Sequence, residues 1–258
     1  ALLKRADGLD SEFIATGHYA RINQLEGRYY VSKARDLVKD QSYVLWGLEQ
    51  DALRRSKFPL AEFLKTEIRQ MAHDQGYDNL AKKAESYEIC FVPDNDYRGF
   101  LKRRVEGLET QVRGGKFIDQ HGKILGEHEG YPFYTIGQRK GLGMAFGKPM
   151  FVTDIFPDSN TVVLGEEEEL SRPAMEVSKI NWLKYASVSP ETELVAKVRY
   201  KDPGHVSNVL MEEDKIKVSF HAKVKGIAPG QSAVVYEGDD VVCGGIIRNS
   251  LFANLQFQ

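Results

Sequence analysis

The 258-residue chain carries two cysteines, Cys90 and Cys243, and they differ in setting. Cys90 lies in AESYEICFVPDND, where a strand-like YEICFV runs into a Pro-Asp turn and a helix start. A thiol between a strand end and a helix N-terminus can have a lowered pKa and serve as a thiolate. Its neighbours Ile89 and Phe91 suit a buried core cysteine equally well. Cys243, in DVVCGGIIRN, sits between Val242 and Gly244 in a strand and reads as core.

Four further segments bring polar chemistry. IATGHY ends a strand with Gly17 and His18, and a glycine there lets a backbone approach a nucleotide closely. His18 reads equally as a solvated turn residue. VKDQSYVLW sets Lys39, Asp40 and Gln41 before an apolar stretch. Either Asp40 caps a helix beginning near Gln41, or the trio meets phosphates and base edges. TIGQRKGLG offers Arg139 and Lys140 among glycines, a lining for a phosphate backbone, but lacks the P-loop spacing. VRYKDPGH and PGQSAVVY add Arg199, Tyr200, Lys201 and Gln231, and an aromatic beside a guanidinium can stack on an unpaired base. No zinc spacing, nucleophile elbow or catalytic triad is visible.

These groups need elements to hold them. EFIATGHYARI and RYYVSKA read as strands, and LAEFLKTEIRQMAHDQG as an amphipathic helix with Leu60, Phe63, Leu64, Ile68, Met71 and Ala72 on one stripe. DNDYRGFLKRRV opens with N-cap residues and reads as another helix. ALLKRADGLD reads as the end of a helix. FVTDIFPDSNTVVLG is a hairpin, and residues 174–258 hold about six short strand signals, the pattern of a closed or nearly closed β-barrel. The expected fold is therefore α/β followed by β. A partial α/β domain spans 1–107, a small β-rich domain 108–170, and a barrel 171–258.

Composition bounds the function. Hydrophobic residues make up 42% and charged residues 28%, as in folded globular proteins. No apolar run approaches the roughly 20 residues that span a bilayer, and no signal-peptide pattern opens the chain. Two cysteines cannot staple a secreted scaffold, so a reducing cytoplasm is expected. The net charge of −2 excludes a globally basic nucleic-acid binder. Residues 101–150 nevertheless carry 9 Lys/Arg against 5 Asp/Glu, a local excess open to a polyanion or simply to solvent.

Taken in order, IATGHYARI, KDQSYVLWGL, ESYEICFV, GEHEGYPFYTIGQRKGLG, VRYKDPG and APGQSAVVY resemble the bacterial tRNA-specific 2-thiouridylases, from residue 12 to about 247. The resemblance implies an ATP-pyrophosphatase-like α/β domain, a small central domain and a C-terminal β-barrel. It implies ATP-dependent sulfur insertion at C2 of the wobble uridine, position 34, with Mg as the expected companion of ATP. Cys90 would carry the persulfide sulfur, and Gly17 would contact ATP. His18, Lys39, Asp40, Gln41, Arg199, Tyr200 and Gln231 would touch tRNA. A sulfur-donor protein, a cysteine desulfurase or a relay protein, would load Cys90. The family's Ser/Gly-rich nucleotide loop, and the cysteine able to form a disulfide with the persulfide cysteine, would precede Ala1. On this reading the chain by itself neither binds ATP well nor completes the reaction. Two rivals stand beside it: a non-catalytic RNA-binding module, and an adenylating enzyme acting on a small molecule.

Overall fold

The computed structural model describes residues 2–81, Val92 and 96–251. They belong to two compact units. One is bounded by Ala1–Lys83, Pro173–Ala222 and Pro229–Gln258, the other by Ala84–Arg172 with Lys223–Ala228.

The N-terminal stretch opens with α1 (Leu2–Asp7), then β1 (Ile14–Ala15), β2 (Ala20–Leu25) and β3 (Arg28–Lys33). β2 and β3 form an antiparallel hairpin whose turn, Glu26–Gly27, has positive φ at both residues (48° and 82°). That is the backbone a two-residue hairpin needs, and it is why glycine stands second. A 3-10 turn, Ser42–Leu45, leads to α2 (Gln50–Arg54) and β4 (Ser56–Lys57), and β4 pairs in parallel with β1. α3 (Lys65–Asp74) and α4 (Asp78–Ala81) follow.

α3 is shorter than the 60–75 periodicity predicts, because residues 60–64 turn instead. Two carboxylates fix where the helix begins. Glu67 Oε2 accepts from Leu64 N at 2.7 Å, and Asp36 Oδ2, from a distant loop, accepts from Lys65 N at 2.8 Å. No residue of α3 is fully buried.

In the second unit, α5 (Tyr97–Arg104) is capped as the sequence predicts, with Asp96 accepting from Gly99 N at 2.8 Å. α6 (Leu108–Gln111) precedes β5 (Gly115–Ile118), β6 (Ile124–His128), β7 (Phe151–Phe156) and β8 (Thr161–Gly165). These form a four-stranded sheet in the order β6-β5-β8-β7. β7–β8 is the expected hairpin. Phe117, Phe133, Tyr134, Val152, Val162 and Leu164 fill the core of this unit.

The remaining strands are β9 (Ser171–Trp182), β10 (Leu194–Lys197), β11 (His205–Glu212), β12 (Lys215–Lys225), β13 (Ser232–Glu237) and β14 (Asp240–Leu251). Their order β13-β10-β11-β12-β9-β14 closes through β13–β14 pairing, giving a six-stranded barrel without a free edge. β3 and β2 extend the same sheet beyond β14. At that junction Asp240 is in register with Ser32, and Ser32 Oγ donates to Asp240 Oδ1 at 2.6 Å. Lys184 Nζ bridges Glu237 Oε2 (2.5 Å) and Asp240 Oδ2 (2.7 Å) beside it. Ala20, Val31, Tyr43, Leu45, Leu53, Val234, Tyr236 and Val241 share one core, so the hairpin, the 3-10 turn and the barrel are packed together.

A close approach seals this core. The barrel strand passes Trp46 at Gly244, where a Cβ would lie 2.6 Å from Trp46 Cβ and Cγ. Gly244→Ala therefore displaces the indole and lowers stability by about 1–3 kcal/mol. A urea midpoint equal to that of the wild type would contradict this packing.

Candidate nucleic-acid interface

The Lys39-Asp40-Gln41 turn is shaped by its own carboxylates. Asp36 Oδ1 accepts from Val38 N (3.1 Å) and Lys39 N (3.2 Å), holding Leu37 and Val38 out in solvent. Asp40 Oδ1 accepts from Ala34 N (3.0 Å) and Ser42 N (3.3 Å), while Oδ2 accepts from Ser42 Oγ (2.7 Å). The structure thus departs from a simple helix cap: Gln41 is the cap residue of a 3-10 turn, and Asp40 closes the loop behind it. Ser42 Oγ continues the chain of bonds to Tyr236 OH at 3.1 Å. Burial pushes the Tyr236 phenol up, so it stays protonated and keeps its hydrogen bond.

Gln41 ties the turn to the first strand pair. Its Oε1 accepts from Tyr19 N at 3.0 Å, and its own N–H donates to Tyr19 O at 2.8 Å. His18 is the preceding residue. Its Nδ1 is hydrogen-bonded to Thr16 Oγ1 at 2.8 Å, and its ring meets Phe58 edge-on at 5.5 Å. Gly17 is exposed at the carboxyl end of β1, and a Cβ there would touch only Leu60 Cδ1, at 3.6 Å.

The barrel supplies the other half of the face. Tyr200 OH donates to the Asp40 carbonyl at 2.9 Å, and its ring meets Tyr43 at 6.1 Å. Tyr43 OH donates to Ser232 O at 2.7 Å, and Trp46 Nε1 donates to Ser232 Oγ at 3.0 Å. Burial, helped by the nearby Asp202 charge, pushes the Tyr43 phenol up to about 12. Gln231, next to Ser232, is exposed, and its carbonyl accepts from Ile247 N at 2.8 Å. Arg199 is exposed beside Tyr200.

Asp202 builds the loop that carries Arg199 and Tyr200. Its side chain is 1% exposed and pairs with His205 Nε2 at 2.9 Å. It accepts from Val198 N (3.0 Å) and Gly204 N (3.1 Å), on either side of the exposed pair. A buried carboxylate with three donors is a rigid anchor. Asp202, Tyr43, Trp46, Ser232 and Asp36 were not singled out by the sequence reading. The Asp-Pro-Gly of VRYKDPGH was the available signal for the first of them.

The structure therefore brings His18, Lys39, Asp40, Gln41, Arg199, Tyr200 and Gln231 onto connected elements of one unit. Gly17 lies beside His18. Cys90, with the rest of the strand-like YEICFV segment up to Phe91, lies outside the described residues. Cys243 is fully buried, and burial pushes its thiol up to about 12, as suits a core residue. Among the described residues no group of three or more His, Cys, Asp or Glu side chains could hold a metal ion. No helix among them is long and apolar enough to cross a membrane.

Three family models match the chain in succession. They are described as a tRNA methyl transferase HUP domain over residues 1–94, a tRNA methyl transferase PRC-barrel domain over 98–166, and an aminomethyltransferase beta-barrel domain over 172–247. Among curated relatives, the tRNA-specific 2-thiouridylase MnmA of Amoebophilus asiaticus is 55% identical over 251 residues, 97% of this chain and 67% of the relative. That of Cytophaga hutchinsonii is 54% identical, covering 97% and 68%. That of Salinibacter ruber is 51% identical, covering 96% and 66%. The chain thus spans about two thirds of the length of these relatives. A mixed α/β portion, a middle sheet and a closed barrel, at this identity over nearly the whole chain, have one reading: the chain belongs to the tRNA-specific 2-thiouridylase family.

Proposed function

We propose that this protein performs ATP-dependent 2-thiolation of the wobble uridine, position 34, of tRNA, in the cytoplasm. Cys90 holds the transferred sulfur as a persulfide, and a sulfur-donor protein loads it. ATP, when bound with Mg, supplies the adenylyl group that turns the base oxygen into a leaving group. Of the ATP site the described residues contribute the exposed backbone at Gly17, which is open to a close nucleotide approach. Everything else these residues do is binding and orientation. The working division is 1–107 for the α/β part, 108–170 for the middle part and 171–258 for the barrel.

The observation that carries the tRNA reading is the hydrogen bond from Tyr200 OH to the Asp40 carbonyl. It joins the Lys39-Asp40-Gln41 turn to the Arg199-Tyr200 loop, and so sets cations, amides and an aromatic ring on one surface. Lys39 and Arg199 suit phosphates, while Tyr200, His18, Gln41 and Gln231 suit unpaired bases. Asp40 acts from behind as a positioning residue, because its carboxylate is already occupied within the chain. A wobble base is unpaired in its loop, so drawing it out costs far less than flipping a duplex base.

The test is mass spectrometry of 2-thiouridine at position 34 in tRNA from cells whose only gene of this family encodes this protein. Its presence is expected, and its absence would overturn the proposal. On the binding side, Lys39→Ala is expected to weaken tRNA affinity by about five- to tenfold at fixed salt and to reduce the salt slope by about one. An unchanged affinity and slope would remove Lys39 from the interface.

A further inference from the structure

The second unit contains a cavity of about 380 Å³ lined by Arg98, Arg113, Glu129, Tyr134, Gly141 and Gly143, among others. That volume is in the range of sites that take small molecules, and it exceeds what a lone phosphate fills. Arg98 forms one wall. Its guanidinium lies over the Tyr134 ring (5.5 Å) and the Phe133 ring (6.0 Å), and its Nη2 donates to the Gly141 carbonyl at 3.2 Å. A guanidinium held over an aromatic ring is a stacking platform for an unpaired base. The glycine loop of TIGQRKGLG, which supplies the Gly141 carbonyl, lines the cavity beside Arg98. Gly143 has φ +79°, and a Cβ there would meet nothing within 4 Å. The backbone is thus bare where a planar group would slide in.

The charges on the lining separate a nucleotide from a simple anion. Two arginines are matched by Glu127 and Glu129, so the cavity is no anion trap. Glu127 is occupied by Lys116, and Glu129 lies 3.4 Å from Arg98. Arg113 is exposed and has no hydrogen bond or ion pair among the described residues. The lining therefore offers a stacking surface and one uncommitted cation suited to a phosphate.

We propose that this cavity receives one unpaired nucleotide of the tRNA, its base against the Arg98–Tyr134 stack and its phosphate met by Arg113. The proposal rests on the tRNA reading above and adds to it a second place where the RNA is gripped. It is independent of the face around Lys39 and Tyr200, since its residues all belong to the other unit.

The test titrates fluorescently labelled tRNA with the wild-type chain and with Arg113→Ala at several salt concentrations. Because Arg113 is exposed and makes no bond among the described residues, the variant should fold normally, which its unfolding midpoint checks. An affinity loss of about tenfold with a salt slope smaller by about one is expected, and Arg113→Lys should keep the slope. Base-specific chemical probing should also reveal one protected unpaired base that Arg98→Ala deprotects. If the wild type binds tRNA and Arg113→Ala binds equally well, the cavity proposal fails while the tRNA reading survives. If the wild-type chain binds no tRNA, both fail together.

Discussion

Replacing Cys90 by serine in the intact gene product should reduce 2-thiouridine formation by at least about 10³-fold while leaving tRNA affinity within about twofold of wild type. A hydroxyl can neither accept sulfane sulfur nor release it, so the loss falls on the transfer step alone. Every contact assigned to tRNA comes from other residues, from His18 to Gln231, and those are untouched by the change. Cys243 offers no rescue, because it is fully buried and its thiol is pushed up to about 12. Thiouridine quantified in tRNA from cells relying on the variant is the check. Normal thiouridine would remove Cys90 from the mechanism.

The second large effect concerns stability. Arg172 is 3% exposed, with Nη2 2.8 Å from Asp154 Oδ2 and Nη1 donating to the Glu169 carbonyl. Arg172→Ala should cost about 3–5 kcal/mol, because it leaves the Asp154 carboxylate in the interior without its partner. Burial raises the Asp154 carboxyl and lowers the Arg172 guanidinium, and in both cases it outweighs the partner's opposite pull. The pair therefore serves geometry more than stability. Arg172→Met combined with Asp154→Leu should recover most of the loss. The pH dependence follows from the same cause. The folded Asp154 holds its proton more tightly than the unfolded one, so its contribution to stability is largest at low pH. That contribution declines as pH rises from the ordinary carboxylate range through the raised folded value. In the double variant this dependence should vanish. Urea titrations across pH decide both points, and a double variant as unstable as the single one would contradict them.

Local patterns carried much of this architecture. Asp96 announced the start of α5, the Pro-Asp-Ser-Asn turn announced the β7–β8 hairpin, and regular strand spacing announced the six-stranded barrel. Cys243 between valines and glycines was readable as core. What local pattern could not carry were bonds between residues far apart in the chain. α3 begins where Asp36 reaches Lys65, 29 residues on. Residues 20–33 join the barrel sheet through Ser32 and Asp240, 208 residues apart. The candidate interface exists because Tyr200 meets Asp40 across 160 residues. Single-sequence reading found most of its side chains as separate fragments, and the family resemblance set them in order. The supports beneath them, Asp202 and Ser232, needed the fold, since a buried aspartate and an ordinary strand serine look like any others.

The central claim is that the Lys39–Gln41 turn, the Arg199-Tyr200 loop and Gln231 form the surface that holds the anticodon loop. Photo-cross-linking with tRNA carrying 5-bromouridine at and beside the wobble position tests it most directly, with mass spectrometry mapping the joined residues. Cross-links are predicted in the peptides containing residues 39–41, 199–200 and 231. Tight tRNA binding with cross-links confined to other segments would contradict the account.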